Sequence, residues 1–306
     1  MVTDNGYLLT QNIPQQLGHY RLSHVLRRGG FATVYRAEHL HLHMQVAVKV
    51  LHGWGEWDHN ARCLLAEARL HASLRHPHIV RVLDFGLQGH IPFLVMDYAS
   101  QGTLQEYFPQ GVCFPLTTIL PFVTQIASAL QYIHQRNLIH CDIKPQNILL
   151  GPGNQVWLSD FGIALTAQQW DQRYVQVPMG TAAYVAPEQI NGKPLPASDQ
   201  YALAVLTYSW LCGQPPFVGT SLQVCLQHLS ARVPSLRDKV PSIGTAVELV
   251  ILRALSKEPN ERFARIRDFA AALQQASQIQ EKAIYPVSLV RSLLRDGPPH
   301  PRVSKV

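Results

Sequence analysis

Residues 138–150 read "LIHCDIKPQNILL". This stretch carries an acid (Asp142), a cation (Lys144) and an amide (Asn147) on a short loop between two apolar flanks. Cys141 stands directly before the acid, so the meaning of this cysteine depends on what the acid does. The residues on either side of the loop supply the answer.

Upstream of the loop, apolar and polar residues alternate as they do in half-buried strands. The pattern predicts a hairpin with a third strand, then a helix, then two more strands joined by a turn at "QGH" (88–90). The five predicted strands are "YRLSHVL" (20–26), "ATVYRAEHL" (32–40), "QVAVKVL" (45–51), "IVRVLDFGL" (79–87) and "PFLVMDY" (92–98), and the predicted helix lies within 61–75.

From about residue 102 the period becomes helical. Apolar residues between Ile119 and Ile133 share one helical face, and residues 199–212 are apolar nearly all round, which indicates a helix in the centre of a domain. Thr245 and Glu248 have capping-box spacing, so a helix is expected to start there, and a last helix should end near residue 276. A strand-rich first third followed by a helix-rich remainder predicts an α+β protein with two lobes.

Composition limits the function classes. The chain has 306 residues, 47% of them hydrophobic, and five cysteines without C-x-x-C spacing, so a reducing compartment is expected. The N-terminus lacks the pattern of a signal peptide, and the apolar run at 201–212 is shorter than the ~20 residues of a membrane span. A net charge of +6 without charge blocks does not point to nucleic acid. A soluble, cytoplasmic protein is therefore expected.

The parts needed for phosphoryl transfer occur in order along the chain. "RRGGFATV" (27–34) has a glycine pair, Gly29 and Gly30, that can bring backbone N–H groups close to phosphate oxygens. Lys49 lies in an apolar strand and needs a partner, for which Glu67 is suitable. "SDFG" (159–162) supplies a second acid, Asp160.

With these motifs the chain resembles the eukaryotic-like (Hanks-type) serine/threonine protein kinases, and "GTAAYVAPEQI" and "SDQYALAVLTYSWLCGQPPF" are most similar to bacterial members. The resemblance implies the bilobal kinase fold, with a strand-rich N-lobe containing one main helix and a mostly helical C-lobe. The implied boundaries are an extension at 1–19, a kinase domain at 20–276 and a tail at 277–306. Within the domain, the N-lobe spans about 20–97, the hinge 97–101 and the C-lobe about 102–276.

The resemblance also implies an activity, which is ATP- and Mg²⁺-dependent transfer to Ser/Thr hydroxyls of protein substrates, including autophosphorylation, in bacterial signalling. Asp142 would be the base, Lys144 would neutralise charge on the moving phosphoryl group, and Lys49 would hold the phosphates and pair with Glu67. Asn147 and Asp160 would bind Mg²⁺. ATP would contact Gly29, Gly30, Val34, Ala47, Lys49, Met96, Asp97, Ala99 and Leu149. Thr181, Glu188, Asp199 and Arg262 would have structural roles, with Glu188 paired to Arg262 and Asp199 tying the buried helix to the backbone of the catalytic loop.

Two departures from the family pattern bear on function. Arg27 stands where the first glycine of the loop is usual and puts nucleotide affinity in question, whereas Ala32, where the third is usual, adds one methyl group and should be tolerated. Most members have Arg where this chain has Cys141, and that Arg meets a phosphate on the activation loop. Its absence implies activity that does not depend on loop phosphorylation.

Two rival functions stay open. A pseudokinase scaffold would keep the fold without transfer, and Arg27 is the feature that favours it. A small-molecule phosphotransferase on a related fold would lack the "GTAAYVAPE" segment, which docks a protein substrate and is present here. Phosphate transfer measured with Mg²⁺ and ATP separates the scaffold from the enzyme.

Overall fold

The computed structural model describes residues 14–30, 32–51, 65, 68–161, 165–166 and 182–284. These residues form two compact units. The first contains the described residues up to Arg75 together with Val80–Ser100, and the second contains His76–Ile79 and the described residues from Gln101 onward.

The first unit is built on a six-stranded antiparallel sheet with the strand order β1-β2-β3-β4-β6-β5. All five strands predicted from alternation are present, so that prediction is confirmed. The strands are β1 (Gln16–Leu17), β2 (Tyr20–Arg28), β3 (Ala32–His39), β4 (Gln45–Leu51), β5 (Val82–Gln88) and β6 (Ile91–Asp97). Residues 68–73, here called α1, are helical, and the start of this predicted helix lies outside the described residues.

Period-two alternation along β4 gives the sheet two different faces. Val46, Val48 and Val50 are buried on one face, where they pack with Phe93 and Val95 of β6 in the core of the unit. Ala47 and Lys49 must therefore project from the opposite face.

The second unit is mostly helical and contains the remaining strands. The loop of the opening motif lies between β7 and β8, and a 3-10 turn at Pro145–Asn147 precedes β8. The helices are α2 (Leu104–Tyr107), α3 (Leu116–His134), α4 (Pro187–Ile190), α5 (Pro196–Cys212), α6 (Ser221–Ser230), α7 (Leu236–Lys239), α8 (Thr245–Ala254) and α9 (Ile266–Ile284). The strands are β7 (Leu138–Ile139), β8 (Ile148–Leu150), β9 (Val156–Leu158) and β10 (Leu165–Thr166).

Two helices are notable for their apolar character. α5 is buried nearly all round, as predicted; it has proline at its first position, and Gly213, with φ of 76°, ends it in the left-handed conformation. α3 is long and apolar enough to cross a membrane by length and composition, with a mean hydropathy of 1.3. Half of that window is buried inside the fold, and core helices of soluble proteins pass the same test, so this is a weak indication of a span.

α8 begins at Thr245, so the predicted start of this helix is confirmed, but its predicted cap and the predicted end of the last helix differ from the structure. The capping box at Thr245 is wrong, because Gly244 occupies the N-cap of α8 and Glu248 instead accepts hydrogen bonds from Ser235 Oγ (2.6 Å) and the Arg237 N–H (3.2 Å). The predicted end of the last helix near 276 is also wrong, because α9 continues to Ile284.

Candidate active site

One face of the sheet carries several of the residues assigned to ATP. In the strand register Val34 lies opposite Lys49, and Ala47 lies opposite Met96. Directly paired residues of antiparallel strands project from the same face, and so do residues two apart on one strand. Val34, Ala47, Lys49 and Met96 therefore form one continuous strip, on the face opposite the apolar core.

The glycine pair lies at the turn that joins β2 to β3. The Gly29 N–H donates to the Ala32 carbonyl (2.8 Å), which closes the turn, and a Cβ added to Gly30 would contact nothing within 4 Å. Arg27 pairs with Val34 in the register and its side chain is exposed. The turn thus accepts Arg27 without burying its charge.

The segment after β6 is fixed through Asp97. Arg81 Nε and one terminal nitrogen donate to the two carboxylate oxygens of Asp97 at 2.7 and 3.0 Å, and this pair raises the pKa of Arg81. The side chain of Asp97 is thereby held by Arg81, the residue before β5, while residues 97–99 stay partly exposed. Their backbone is the part assigned to adenine.

In the second unit, the acid of the opening motif is surrounded by its own loop. Lys144 Nζ lies 2.8 Å from Asp142 Oδ2, and Asn147 Nδ2 donates to the same oxygen at 2.7 Å and to the Asp142 carbonyl at 3.0 Å. Two donors on one oxygen fix the orientation of the carboxylate. The loop therefore places the Asp142 carboxylate, in a fixed orientation, beside the ammonium group of Lys144.

Asn147 and Asp160 lie at the same end of a short hairpin. β8 pairs with β9 so that Ile148 faces Leu158, and Ser159 donates its N–H and its hydroxyl to the Asn147 carbonyl, both at 2.9 Å. Asp160 follows immediately with φ of 59°, a left-handed conformation that is uncommon for a residue with a side chain. The hairpin thus brings an amide and a carboxylate to one edge.

Buried Asp199 on α5 holds the backbone of the loop. Its carboxylate accepts the N–H groups of His140 and Cys141, both at 2.9 Å, and lies 2.7 Å from His134 Nε2. Burial works to raise the pKa of Asp199, but the hydrogen bond and charge of His134, with His140, hold it below its ordinary value. A charged carboxylate at this point stabilises the loop through charge-assisted hydrogen bonds.

Cys141 is buried and held at both its backbone groups. Its N–H donates to Asp199, its carbonyl accepts from Gln189 Nε2 (2.6 Å), and its φ is 64°. Burial, together with the nearby charges of Asp199 and Asp142, raises the pKa of the thiol. The side chain is therefore a neutral thiol.

Glu188 and Arg262 form a buried two-pronged ion pair. The two terminal nitrogens of Arg262 each donate to one oxygen of Glu188 at 2.8 Å. Arg262 also donates to the carbonyls of Ala197, Ser256 and Lys257, and Glu188 accepts from Ser198 Oγ (2.7 Å). The pair anchors the start of α4 to the helical unit.

Two predicted site residues, Glu67 and Thr181, lie outside the described residues. The structure adds His134, His140 and Gln189, which sequence reasoning missed. His140 is buried, its Nε2 lies 3.0 Å from the Ser159 carbonyl, and its ring packs edge-on against Phe161. Its place directly before Cys141 in the quoted loop was the available signal.

Comparison with known proteins gives a consistent result. Residues 20–278 match the family model described as the protein kinase domain. The serine/threonine-protein kinase PrkC of Bacillus subtilis is 34% identical over 262 residues, which cover 85% of this chain and 40% of the relative. PknF of Mycobacterium tuberculosis is 39% identical over 268 residues, covering 81% and 54%, and PknB of Mycobacterium leprae is 34% identical over 268 residues, covering 85% and 43%. The chain thus spans about half or less of the length of these relatives.

Proposed function

We propose that this chain, which belongs to the protein kinase family, is a serine/threonine protein kinase that transfers the γ-phosphoryl group of ATP to protein hydroxyls. The observation that carries the proposal is the arrangement around Asp142. One carboxylate oxygen is held at 2.7 Å by Asn147 and at 2.8 Å by Lys144, on a loop fixed from behind by Asp199. A scaffold has no need of an acid oriented in this way.

In the proposed reaction the residues of the second unit perform the chemistry. Asp142 orients the acceptor hydroxyl and accepts its proton as the hydroxyl oxygen bonds to the γ-phosphorus. The bond from that phosphorus to the β–γ bridging oxygen breaks, and ADP leaves. Lys144, beside Asp142, neutralises charge on the moving phosphoryl group, and its presence two residues after the acid favours Ser and Thr acceptors, as the resemblance implies.

The side chains fit a magnesium ion. Mg²⁺ prefers oxygen ligands, and the hairpin edge offers the carboxylate of Asp160 and the amide of Asn147. Asn147 Nδ2 donates to Asp142, and an amide binds Mg²⁺ through its oxygen, so the proposed ligand atom of Asn147 is its amide oxygen. Bound Mg²⁺ would neutralise charge on the phosphate oxygens. Asn147 thus has two tasks, holding the base and holding the metal.

In the first unit the proposed nucleotide contacts lie on the strip of the sheet. Lys49 would bind the α- and β-phosphates, and Ala47 and Met96 would lie against the adenine. Leu149 of β8 is partly buried and forms an isolated bridge with Thr103, which fixes its place in the second unit. Asp97 and Ala99 would offer backbone groups to the base.

We further propose that activity does not depend on phosphorylation of the activation loop. Cys141 is a buried neutral thiol whose pKa is raised, so it cannot replace the cation that would receive a loop phosphate. Autophosphorylation and a place in bacterial signalling belong to the same proposal. A cytoplasmic location is consistent with it, because Cys113, Cys141, Cys212 and Cys225 of the described part are free thiols.

The test is the Asp142→Asn variant with Mg²⁺, ATP and a generic protein substrate. Loss of the base should reduce turnover by at least ~10²–10⁴-fold while nucleotide binding stays largely intact. Asp268→Asn is the matched control, because Asp268 lies on α9 and pairs with exposed Arg265. Equal rates for wild type and Asp142→Asn would refute the assigned base, and ATP binding without transfer by wild type would favour the scaffold.

A further inference from the structure

His228 on α6 is a fully buried histidine with a partner at each ring nitrogen. Nδ1 lies 2.8 Å from the hydroxyl of Tyr201, and Nε2 lies 3.2 Å from the carbonyl oxygen of Ala183. A carbonyl can only accept, so Nε2 carries the proton. Nδ1 then accepts, and Tyr201 is the donor. The chemistry of the two partners fixes the tautomer.

The surroundings keep this imidazole neutral. Its ring packs edge-on against Phe217 and Tyr201, with centroids 5.0 and 5.6 Å apart. Burial, followed by the charge of Lys257, lowers the pKa of His228 to about 4. Lys257 itself donates to the carbonyl of His228 at 2.8 Å, at the end of α6. At neutral pH the ring is therefore uncharged, and it donates one hydrogen bond and accepts one.

Ala183 lies in the 3-10 turn Ala182–Tyr184, shortly before α4. The side chain of Ala182 packs with Phe217 and Val224 in a small buried cluster. Glu188 of α4, five residues after Ala183, is held by Arg262, whose guanidinium lies 4.8 Å from the ring of Tyr201. The segment therefore has two anchors, one on the Ala183 backbone and one on Glu188, and both meet at Tyr201.

We propose that His228 is a positioning residue for the acceptor peptide, because its hydrogen bond to Ala183 fixes the backbone of residues 182–184. This inference rests on the proposed function and on the "GTAAYVAPE" segment (180–188), which by the family resemblance docks the protein substrate. His228 does not contact the reacting atoms. It acts through Ala183, so its loss should weaken peptide binding and leave nucleotide binding and the chemical step nearly unchanged.

The test uses two variants, each of which keeps one of the two hydrogen bonds that the His228 ring makes with Tyr201 and Ala183. His228→Gln places an amide nitrogen near the position of Nε2 and retains the donation to Ala183. His228→Asn places its amide near Nδ1, so it can still meet Tyr201 but is too short for Ala183. We expect His228→Asn to raise the KM for a peptide substrate about tenfold, as for one lost hydrogen bond. We expect His228→Gln to stay within about twofold, with kcat and the KM for ATP close to wild type in both.

Melting temperatures and amide hydrogen exchange complete the experiment. Faster exchange across residues 182–186 in His228→Asn than in His228→Gln, at similar melting temperatures, would support the anchor independently of catalysis. Equal peptide KM values and equal exchange in the two variants would overturn the proposal, because the ring would then act through packing alone. If the wild-type protein transfers no phosphate, the proposed function itself is refuted. The role of His228 in binding the acceptor peptide would then be refuted with it.

Discussion

Separating Glu188 from Arg262 should destabilise the protein strongly. Both side chains are buried, with Arg262 0% and Glu188 9% exposed, and two hydrogen bonds of 2.8 Å join them. Arg262→Met would leave a buried carboxylate with Ser198 as its remaining described donor, and three carbonyls would lose their guanidinium donor. Removing one partner of a buried pair costs about 3–5 kcal/mol.

The assay is urea unfolding with a thermal melt as the second measurement. A loss of that size should lower the melting temperature by roughly 6–15 °C, at about 2–3 °C per kcal/mol for a chain of this length. The double variant Glu188→Gln with Arg262→Met should lose less than the two single losses added together, because neither charge is then left unpaired.

An exposed ion pair provides the control. Arg265→Met removes an ion pair with Asp268 of 3.2 Å whose side chains are 55% and 36% exposed, and should cost at most about 1 kcal/mol. If Arg262→Met costs no more than this control, or if the two single losses are simply additive, the anchoring role given to the buried pair is wrong.

Three further outcomes are expected. Arg27→Gly should change the KM for ATP more than kcat, because this exposed cation lies beside the glycine turn, and equal KM values would show that the side chain does not influence nucleotide binding. Thr166→Val with Tyr174→Phe should keep most of the wild-type rate without a lag, since Cys141 offers no cation to a phosphate; a lag removed by preincubation with ATP would contradict this. Because the pKa of His228 is lowered from 6.5 to about 4, its contribution to stability is present above pH 6.5 and is lost as pH falls toward 4. Wild type should lose about 2 kcal/mol more than His228→Gln between pH 7 and pH 5 in urea unfolding, and equal losses would contradict the neutral buried ring.

Local pattern was sufficient where one physical cause dominates. The alternation along β4 predicts a strand because Val46, Val48 and Val50 all enter the same core, and the uniformly apolar residues 199–212 predict a buried helix because every side of α5 packs. In both cases burial determines which residues are apolar. These are alternate residues in a strand with one core face, and nearly all residues in a helix that is buried on every side.

The cap of α8 and the end of α9 depend on distant contacts and were not predictable in this way, although the start of α8 at Thr245 was. Thr245 and Glu248 match a capping box, but the Glu248 carboxylate instead accepts hydrogen bonds from Ser235 and Arg237, which the motif does not include. α9 extends past residue 276, where Gln280 bonds to the Gly244 N–H and the Ser242 carbonyl. These partners are more than 30 residues away along the chain.

The residues of the candidate site also fall into two groups, those that local spacing predicts and those that depend on contacts distant in the sequence. The order of the motifs identified Asp142, Lys144 and Asn147, because they lie within six residues of one loop. The link from Asp199 to the Cys141 N–H spans 58 residues, and it came from family resemblance rather than from spacing. His134 and His228 were missed because a single histidine on a helix has no local pattern that distinguishes a bonded ring from a packed one.

The most direct test of the central claim is transfer of a labelled γ-phosphate from ATP to three peptides that differ only in carrying Ser, Thr or Tyr as the acceptor. We expect labelled phosphoserine and phosphothreonine, little or no phosphotyrosine, and loss of all transfer when Mg²⁺ is chelated. Binding of Mg²⁺–ATP without transfer to any peptide, or equal labelling of the Tyr peptide, would contradict this claim.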